Sequence, residues 1–374
     1  MTPRRLTDAE RLDWLRLLRC ENVGPVTFAR LLSRFGSAAA ALAAIPHLSK
    51  KGGLGRPLGL ASQAAAEDEM AQTAALGACY VAAGEDGYPA PLRHIHGAPP
   101  LLCVKGRKDL AARPAVAVVG ARNASAAGLK FTRGLAAELA DAGYVVASGL
   151  ARGIDTAAHQ AALAHGTVAV VAGGIGHVYP PENADLVAAL AEHGLLLSEM
   201  PPGAAPMAEH FPRRNRIISG MALATVVVEA ALRSGSLITA RLAAEQGREV
   251  FAAPGSPLDP RCEGSNRLIR EGAQLLTAAR DVVEALAAAP PRFEPAQGSF
   301  LEQDEYERSL DVVAKEDDRL DADDVARLLS PTPVEVDDLI RESGLPPRVV
   351  VGLLLELELA GRLIRHSGGR VASA

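Results

Sequence analysis

The feature that most constrains the fold is an alternation of short apolar runs with alanine-rich stretches from Ala115 to about Leu286. Parallel strands need long crossover connections, and a sheet covered by helices on both faces has strands that are apolar throughout. The alternation therefore predicts an α/β fold built on a doubly wound parallel sheet. The predicted strands are AVAVV (115–119), YVVAS (144–148), TVAVVA (167–172), LLLSE (195–199), ATVVVEA (224–230) and EVFAA (249–253).

The chain before this region predicts a small helical domain over residues 1–65. Leucines recur there at helical spacing on either side of a turn, Asn22–Thr27, which is typical of a helix-hairpin-helix or SAM-like domain. The turn either offers backbone N–H groups to a DNA phosphate or belongs to a helical hairpin whose only role is packing. The sequence leaves both alternatives open. Residues 66–110, with a helix and a short β element, form a lead-in to the sheet, so we place the central domain at 66–290.

The chain after the sheet predicts a linker and a winged-helix domain. Residues 291–318 are rich in proline and charge, as in a linker. Residues 319–374 then show helices at 322–329, 334–343 and 348–360, followed by two short strands that would form the wing.

The bulk composition does not indicate nucleic-acid binding. The net charge is −5, the pI is near 6.0, and aromatic residues make up only 3% of the chain. Any phosphate site must therefore come from a local cluster. The N-terminus resembles neither a signal peptide nor a membrane anchor, and the scattered cysteines fit a reducing cytosol, so we expect a cytoplasmic protein without a membrane segment. The cysteines are Cys20, Cys79, Cys103 and Cys262.

Glycine, serine and arginine follow most of the predicted strands. Ligands bind at the carboxyl ends of parallel strands, glycine admits close approach of an anion, and arginine grips a phosphate with two N–H groups. We therefore predict an anion-binding rim for several successive phosphates. Phe211 either stacks on a base or anchors its loop in the core. The candidate rim residues are Gly120, Arg122, Ser125, Gly149, Arg152, Gly173, Gly174, Phe211, Arg213, Arg214, Asn215, Arg216, Arg233, Ser234, Gly235 and Ser236.

Motifs of the common nucleotide-dependent enzymes are missing. The first turn, Gly120-Ala121-Arg122-Asn123, lacks the dinucleotide-binding glycine pattern, and the sequence contains no P-loop, nucleophile elbow or paired metal ligands. We therefore predict no cofactor, no metal and no catalytic residue.

Three acidic or imidazole side chains near the rim have two interpretations each. Asp155 and His159 lie four residues apart on one helix, and we favour helix capping and a buried hydrogen bond over catalysis. Glu229 ends a strand and is either a base or an ion-pair partner of Arg216 or Arg233, and we favour the ion pair.

Several separated segments together resemble the DNA-processing protein A (DprA, also called Smf) family. They run in the family's order through residues 115–280, and GYPAPLRHIHGAPPLLCVKG at 87–106 resembles its lead-in. The matching segments are VVGARNAS, SGLARGIDTAAHQAAL, GGIGHVYPPENADL, LLSEMPPG, HFPRRNRIISGM, VVVEAALRSGSLITARLAAEQGREVFAAPG and GSNRLIREGAQLL.

The resemblance implies an extended Rossmann-like domain and a role without catalysis. Family members bind and protect single-stranded DNA, help to load the RecA recombinase in natural transformation, and form dimers through this domain. It also implies that Arg122 belongs to the family's phosphate-binding turn. Phe211, Arg213, Arg214 and Asn215 match its strand-binding loop. On these grounds we expect Arg122→Ala or Arg214→Ala to weaken DNA binding without unfolding the protein.

The predicted winged-helix domain departs from a duplex reader. Its acidic residues outnumber its arginines, and the helix expected in a major groove carries Glu356 and Glu358. We hypothesise that this domain binds protein or serves the dimer. The acidic helix also disfavours a sequence-specific transcription factor.

An alternative function is a nucleotide hydrolase of the lysine-decarboxylase-like type, which has a related Rossmann fold. The P-G-G-x-G-T-x-x-E motif of that family is missing, and residues 228–236 read VEAALRSGS in the corresponding region. The missing motif makes this the weaker alternative.

Overall fold

The computed structural model describes residues 5–56, 58–288, 322–366 and 368–374. The predicted linker at 291–318 lies outside the described residues. The contacts divide the chain into a central unit within Glu69–Gln297 and a terminal unit that combines Arg5–Asp68 with the described part of Gly298–Ala374. The sequence-based boundary at 65/66 falls inside the helix Gln63–Ala75, which crosses from one unit to the other.

The central unit alternates strands and helices. Its strands are β1 (Cys79–Ala82), β2 (Leu101–Gly106), β3 (Ala115–Gly120), β4 (Val145–Ser148), β5 (Thr167–Val170), β6 (Leu195–Ser198), β7 (Ala224–Val228), β8 (Glu249–Ala252) and β9 (Gln274–Leu275). Its helices, after α4 (Gln63–Ala75), are α5 (Ala126–Asp141), α6 (Ile154–Ala162), α7 (Ala184–His193), α8 (His210–Met221), α9 (Gly235–Glu245), α10 (Glu263–Arg270) and α11 (Ala279–Ala288). Short 3₁₀ helices lie at Ala90–His94, Lys108–Ala112, Leu163–His165, Pro181–Asn183 and Pro260–Cys262.

The strands form one sheet in the order β1-β2-β6-β5-β4-β3-β7-β8-β9. Seven strands, from β6 through β9, run parallel, and β1 and β2 add an antiparallel pair at the β6 edge. The chain winds outward from β3 in both directions, so the doubly wound parallel fold predicted from the sequence is confirmed. The point where the order reverses lies between β3 and β7.

All six predicted apolar runs form strands, because each is buried on both faces. Val118, Val146, Val226 and Phe251 are fully buried on the side covered by α5, α6 and α11. The lead-in contributes β1 and β2 to the sheet. Leu102 and Cys103 of β2 are buried, and β2 extends the sheet beside β6. The sheet therefore brings the carboxyl ends of its parallel strands to one edge.

The terminal unit contains helices from both ends of the chain. The N-terminal helices are α1 (Asp8–Leu18), α2 (Pro25–Phe35) and α3 (Ala38–Lys51). The C-terminal segment contains α12 (Ala322–Ala326), β10 (Val334–Glu335), α13 (Val336–Ser343), α14 (Pro347–Leu359), β11 (Leu363–His366) and β12 (Arg370–Ser373). The strands pair in the order β10-β12-β11, which completes a winged helix.

No single helix among the described residues is long and apolar enough to cross a membrane. The pair α2 and α3, bent by 104° at their break, reaches that length and apolar composition only when the two are taken together.

Candidate functional site

The switch point of the sheet lies where β3 and β7 end side by side. A Cβ on Gly120 would fall 1.9 Å from the carbonyl oxygen of Val228, so glycine is needed for the close approach of these two strands. The turn that follows leads to Ser125, whose hydroxyl accepts a hydrogen bond from the N–H of Gly128 and caps α5. Gly120 thus serves strand packing, and Ser125 begins the helix.

A carboxylate of the protein itself fills this switch point. Glu229, which follows β7, adopts φ +54°, accepts a hydrogen bond from the N–H of Ser125 at 2.8 Å and a second one from its hydroxyl. Its carboxylate also lies where a Cβ of Gly128 would stand. The predicted ion pair of Glu229 with Arg216 or Arg233 is therefore wrong. The helix N-terminus that holds phosphate in many Rossmann folds instead holds this acidic side chain.

An open cleft lies one strand away, at the ends of β4 and β5. Its lining combines backbone from the β4 and β5 loops with two exposed arginines and two aromatic rings. The lining residues are Arg122, Gly149, Leu150, Ala151, Arg152, Val171, Ala172, Gly173, His177, Tyr179, Pro180, Pro206, Phe211 and Arg214. The structure thus brings together six of the predicted rim residues: Arg122, Gly149, Arg152, Gly173, Phe211 and Arg214.

An aromatic and cationic cluster forms one wall of the cleft. The Phe211 ring packs edge-on against Tyr179, with 5.8 Å between centroids, and the guanidinium of Arg122 lies 5.4 Å from the Phe211 centroid. Phe211 is half-buried, whereas Tyr179 is 46% exposed. A flat ring beside an exposed cation can accept a nucleobase and its phosphate together.

Arg214 lies beneath this wall rather than on the surface. It is 7% exposed, and its Nη1 donates to the carbonyl oxygens of Gly149 and Val170. A Cβ on Gly149 would collide with this guanidinium, which explains the glycine. Burial lowers the pKa of Arg214 to about 10, so the group stays charged at neutral pH. Arg214 joins the ends of β4 and β5 and forms the floor of the cleft.

Two further buried ionisable groups support this floor. Asp155 accepts hydrogen bonds from the N–H groups of Gly149 and Ala151, at 3.1 and 3.3 Å. Burial raises its pKa, and the nearby Arg214 opposes that shift. His159 is fully buried, with Nδ1 2.8 Å from the hydroxyl of Thr167, which confirms the predicted buried hydrogen bond. Burial first, and Arg214 second, lower the pKa of His159 to about 3, so it is neutral at physiological pH.

The remaining predicted residues are dispersed along the rim. Arg213 and Arg233 are exposed, while Arg216 forms a two-oxygen ion pair with Glu199. Asn215 donates to the carbonyl oxygen of Gly235 at 3.4 Å, and Ser234 caps α9 by accepting from the N–H of Ser236.

Two glycines in the β5 loop act through packing. A Cβ on Gly174 would fall 2.0 Å from the carbonyl oxygen of Pro201, and one on Gly173 would fall 2.8 Å from that of Ala204. Both glycines therefore allow the long loop after β6 to lie against the β5 loop. Gly173 also accepts the hydroxyl hydrogen bond of Ser198 at its carbonyl oxygen.

Sequence reasoning missed Tyr179 and His177, which both line the cleft. They follow Gly173-Gly174 in the same loop, and an aromatic residue directly before Pro180-Pro181 was the available signal. Within the described residues, no group of three or more His, Cys, Asp or Glu side chains is arranged to hold a metal ion.

Family models match the chain in three consecutive parts. Residues 79–287 match the model of DNA recombination-mediator protein A. Residues 8–72 match a DprA-like N-terminal HHH domain, and residues 313–369 match a DprA winged-helix domain.

Individual proteins agree with these models. Protein Smf of Escherichia coli K12 is 41% identical over 298 residues, which cover 78% of this chain and 76% of Smf. The X-ray structure of DNA processing protein A from Streptococcus pneumoniae superposes with a TM-score of 0.61 at 36% identity and covers 78% of this chain and 99% of that one. DNA processing protein A from Helicobacter pylori, whose structure concerns its single-stranded DNA binding mode, gives a TM-score of 0.52 at 28% identity, over 56% of this chain and 95% of that one.

Proposed function

The chain belongs to the DNA recombination-mediator protein A (DprA/Smf) family, and on that premise we propose that it binds single-stranded DNA in the cleft beside β4 and β5. The observation that carries the proposal is the wall in which Arg122 lies against Phe211, whose ring in turn packs edge-on against Tyr179. The arginine can bind a phosphate of a single strand, and the aromatic rings can stack on an unpaired base.

In this proposal the exposed cations Arg122, Arg152 and Arg213 contact successive phosphates. Arg152 faces Glu182 at 3.5 Å, with both side chains more than half exposed, so a phosphate can replace that weak pair. The backbone of Gly149 and Gly173 lines the cleft beside the bound DNA. An unpaired base stacks on the Phe211 or the Tyr179 ring, which a base inside a duplex cannot reach without leaving its stack.

The proposed contacts carry little sequence information, because phosphates are identical along a strand and every base has a stacking face. Affinity should fall with salt, with a slope in log K against log salt of about −0.7 for each phosphate contacted.

We further propose that the protein acts without bond-making chemistry. Asp155 and His159, the acid and the imidazole beneath the cleft, are committed to backbone N–H groups and to Thr167. A nucleotide hydrolase is disfavoured by Glu229, whose carboxylate would repel a nucleotide phosphate at the N-terminus of α5. Release of ribose from AMP by the purified chain would reverse this conclusion.

The partners proposed from family membership are RecA and a second copy of the chain, in the cytoplasm during natural transformation. A dimer through the Rossmann-like domain has its candidate surface at the sheet edge formed by β9, where Leu275 is 51% exposed. Light scattering of the purified protein tests the dimer. RecA-driven strand exchange on DNA coated with a single-strand-binding protein tests the loading function.

The DNA-binding proposal is tested by fluorescence anisotropy with labelled oligo-dT and a duplex of equal length, at two salt concentrations. We expect a clear preference for oligo-dT that weakens with salt. Equal affinity for both DNAs, or no binding to oligo-dT, would contradict the proposal and redirect attention to small phosphorylated ligands.

A further inference from the structure

The third helix of the winged helix, α14, is buried on two sides. One side packs into the core of its own domain through Val350, Leu354 and Leu357. On the other side Leu355 and Leu359 are also buried, at 3% and 0% exposure, although they lie outside that core. In helix-turn-helix proteins the corresponding helix exposes a polar face that lies in the major groove. A second buried face on α14 instead requires a protein partner.

The partner is the N-terminal helical domain of the same chain, within the terminal unit. The side-chain amide of Asn22 donates to the carbonyl oxygen of Leu359 at 3.0 Å. Arg362, just after α14, donates to the carbonyl oxygen of Gly52 at 3.1 Å. These bonds join groups more than 300 positions apart in the chain, at the end of α14 and at two turns of the helical domain.

Gly52 shows how closely the two domains approach each other. A Cβ at this position would fall 2.0 Å from the carbonyl oxygen of Glu356 and 3.0 Å from the Cβ of Ala360. The backbone of Gly52 has φ −68°, which any residue can adopt. The glycine is therefore required by the contact with α14 and not by its own conformation.

The acidic residues of α14 are used inside this contact. Glu358 accepts a hydrogen bond from the Thr27 hydroxyl at 2.9 Å and pairs with Arg365 at 2.8 Å. The Glu358 and Arg365 side chains are only 13% and 11% exposed, and Glu356 is 7% exposed. Thr27 lies in the first turn of α2 and is the last residue of the hairpin turn that the sequence offered as a phosphate site. A carboxylate, rather than open solvent, faces that turn.

We propose that α14 is a docking helix for the N-terminal helical domain and not a DNA-reading helix, and that the helix-hairpin-helix turn serves this same contact instead of binding DNA phosphate. The apolar residues on this face of α14 argue for permanent docking, because Leu355, Leu359 and Ala360 have no side-chain donor or acceptor for a base edge. The N-terminal helical domain and the winged helix then act as one unit, and neither α14 nor the turn before α2 binds duplex DNA.

A single methyl group tests the proposal in the full-length protein. Gly52→Ala places a Cβ against α14, whereas Gly55→Ala adds the same methyl group in open space, with no atom within 4 Å. Hydrogen–deuterium exchange of peptides from α14 and α2 is measured in both variants, with oligo-dT binding as the readout for an intact central unit. We expect exchange in both helices to accelerate by about tenfold or more in Gly52→Ala, as local opening becomes easier, and to stay unchanged in Gly55→Ala.

Duplex affinity is measured on the same proteins, and we expect it to stay unchanged in both variants. Unchanged exchange in Gly52→Ala would overturn the docking contact. Faster exchange together with tighter duplex binding would also overturn the proposal, because α14 or the α2 turn would then be a masked DNA reader. Exchange rates that depend on protein concentration would overturn the assignment of the partner to the same chain.

A milder pair of substitutions serves if Gly52→Ala does not yield soluble protein. Thr27→Val and Glu358→Gln together remove the polar bond between the domains while keeping the size of both side chains. We expect a smaller acceleration of exchange in the same two helices and again no gain in duplex affinity. No acceleration, or a gain in duplex affinity, would count against the proposal in this variant as well.

Discussion

The switch point between β3 and β7 and the cleft beside β4 and β5 share one edge of one sheet, yet they are filled differently. At the switch point a carboxylate, Glu229, binds the N-terminus of α5. In the cleft, Arg122 and Arg152 remain exposed above the buried Arg214. The site that serves nucleotides in many Rossmann folds is thus occupied by the protein's own carboxylate, whereas the neighbouring cleft presents exposed arginines. The difference favours a ligand that spans several loops over one held by a single helix N-terminus.

The largest effect is expected at the floor of the cleft. Arg214→Ala removes the donors to Gly149 and Val170 and leaves Asp155 buried without the nearby positive charge. Loss of one buried charge partner typically costs about 3–5 kcal/mol, so we expect a loss of stability of that size. Urea denaturation followed by circular dichroism measures it. This result would replace the expectation from sequence that Arg214→Ala weakens binding without affecting the fold.

Arg213→Ala is the matched control, since Arg213 is the exposed neighbour of Arg214 on α8. Its stability should stay within about 0.5 kcal/mol of the wild type. Equal stability of Arg214→Ala and Arg213→Ala would mean that the buried guanidinium does not hold β4 and β5 together.

The next effect concerns the wall of the cleft. Arg122→Ala should weaken oligo-dT binding by about 10- to 100-fold, because charge-assisted hydrogen bonds contribute roughly 1.5–3 kcal/mol. The salt slope should become shallower by about 0.7, and the stability should not change. Arg241→Ala, which removes an equally charged but cleft-remote side chain that is 70% exposed on α9, should leave the anisotropy titration unchanged. Equal losses in both variants would indicate a diffuse charge effect and not a site.

The sequence predicted the strands better than the burial of individual side chains. Apolar runs buried on both faces leave a clear pattern, so all six predicted strands are present, whereas the two-residue strand β9 was not predicted. Arg213, Arg214 and Arg216 look alike in the sequence, yet one is exposed, one is buried and one is paired with Glu199. Which arginine points inward depends on the rotation of α8 against the sheet and on the space left by Gly149, and both are properties of the tertiary packing. Glu199 and Tyr179 come from loops whose path no local pattern specifies.

Glu229→Gln tests the role of the carboxylate at the switch point between β3 and β7. The amide keeps an acceptor for Ser125 but removes the negative charge from the N-terminus of α5, so we expect a loss of about 1–2 kcal/mol in stability. Oligo-dT affinity should stay unchanged, because Glu229 lies outside the residues that line the cleft. Glu245→Gln, an exposed substitution on α9, is the control in thermal unfolding. A marked change in oligo-dT affinity would mean that the switch point and the cleft form one site.

The smallest effect is a pH dependence from His159 beneath the cleft. Its folded pKa, about 3, lies below the ordinary value of 6.5, so the unfolded chain binds the proton more readily and acid favours unfolding between these values. From pH 6.5 to 5.5 this one group should lower the free energy of unfolding by about 1 kcal/mol. The Thr167 hydroxyl donates to the carbonyl oxygen of Val146 and must therefore accept from Nδ1, so acid would add a proton to Nε2, which has no hydrogen-bond partner. His159→Asn keeps a donor near the position of Nδ1 and cannot be protonated. Denaturation curves at the two pH values should therefore show a loss in free energy of unfolding that is smaller in this variant than in the wild type by about 1 kcal/mol. If both proteins lose the same stability, the acid sensitivity arises elsewhere.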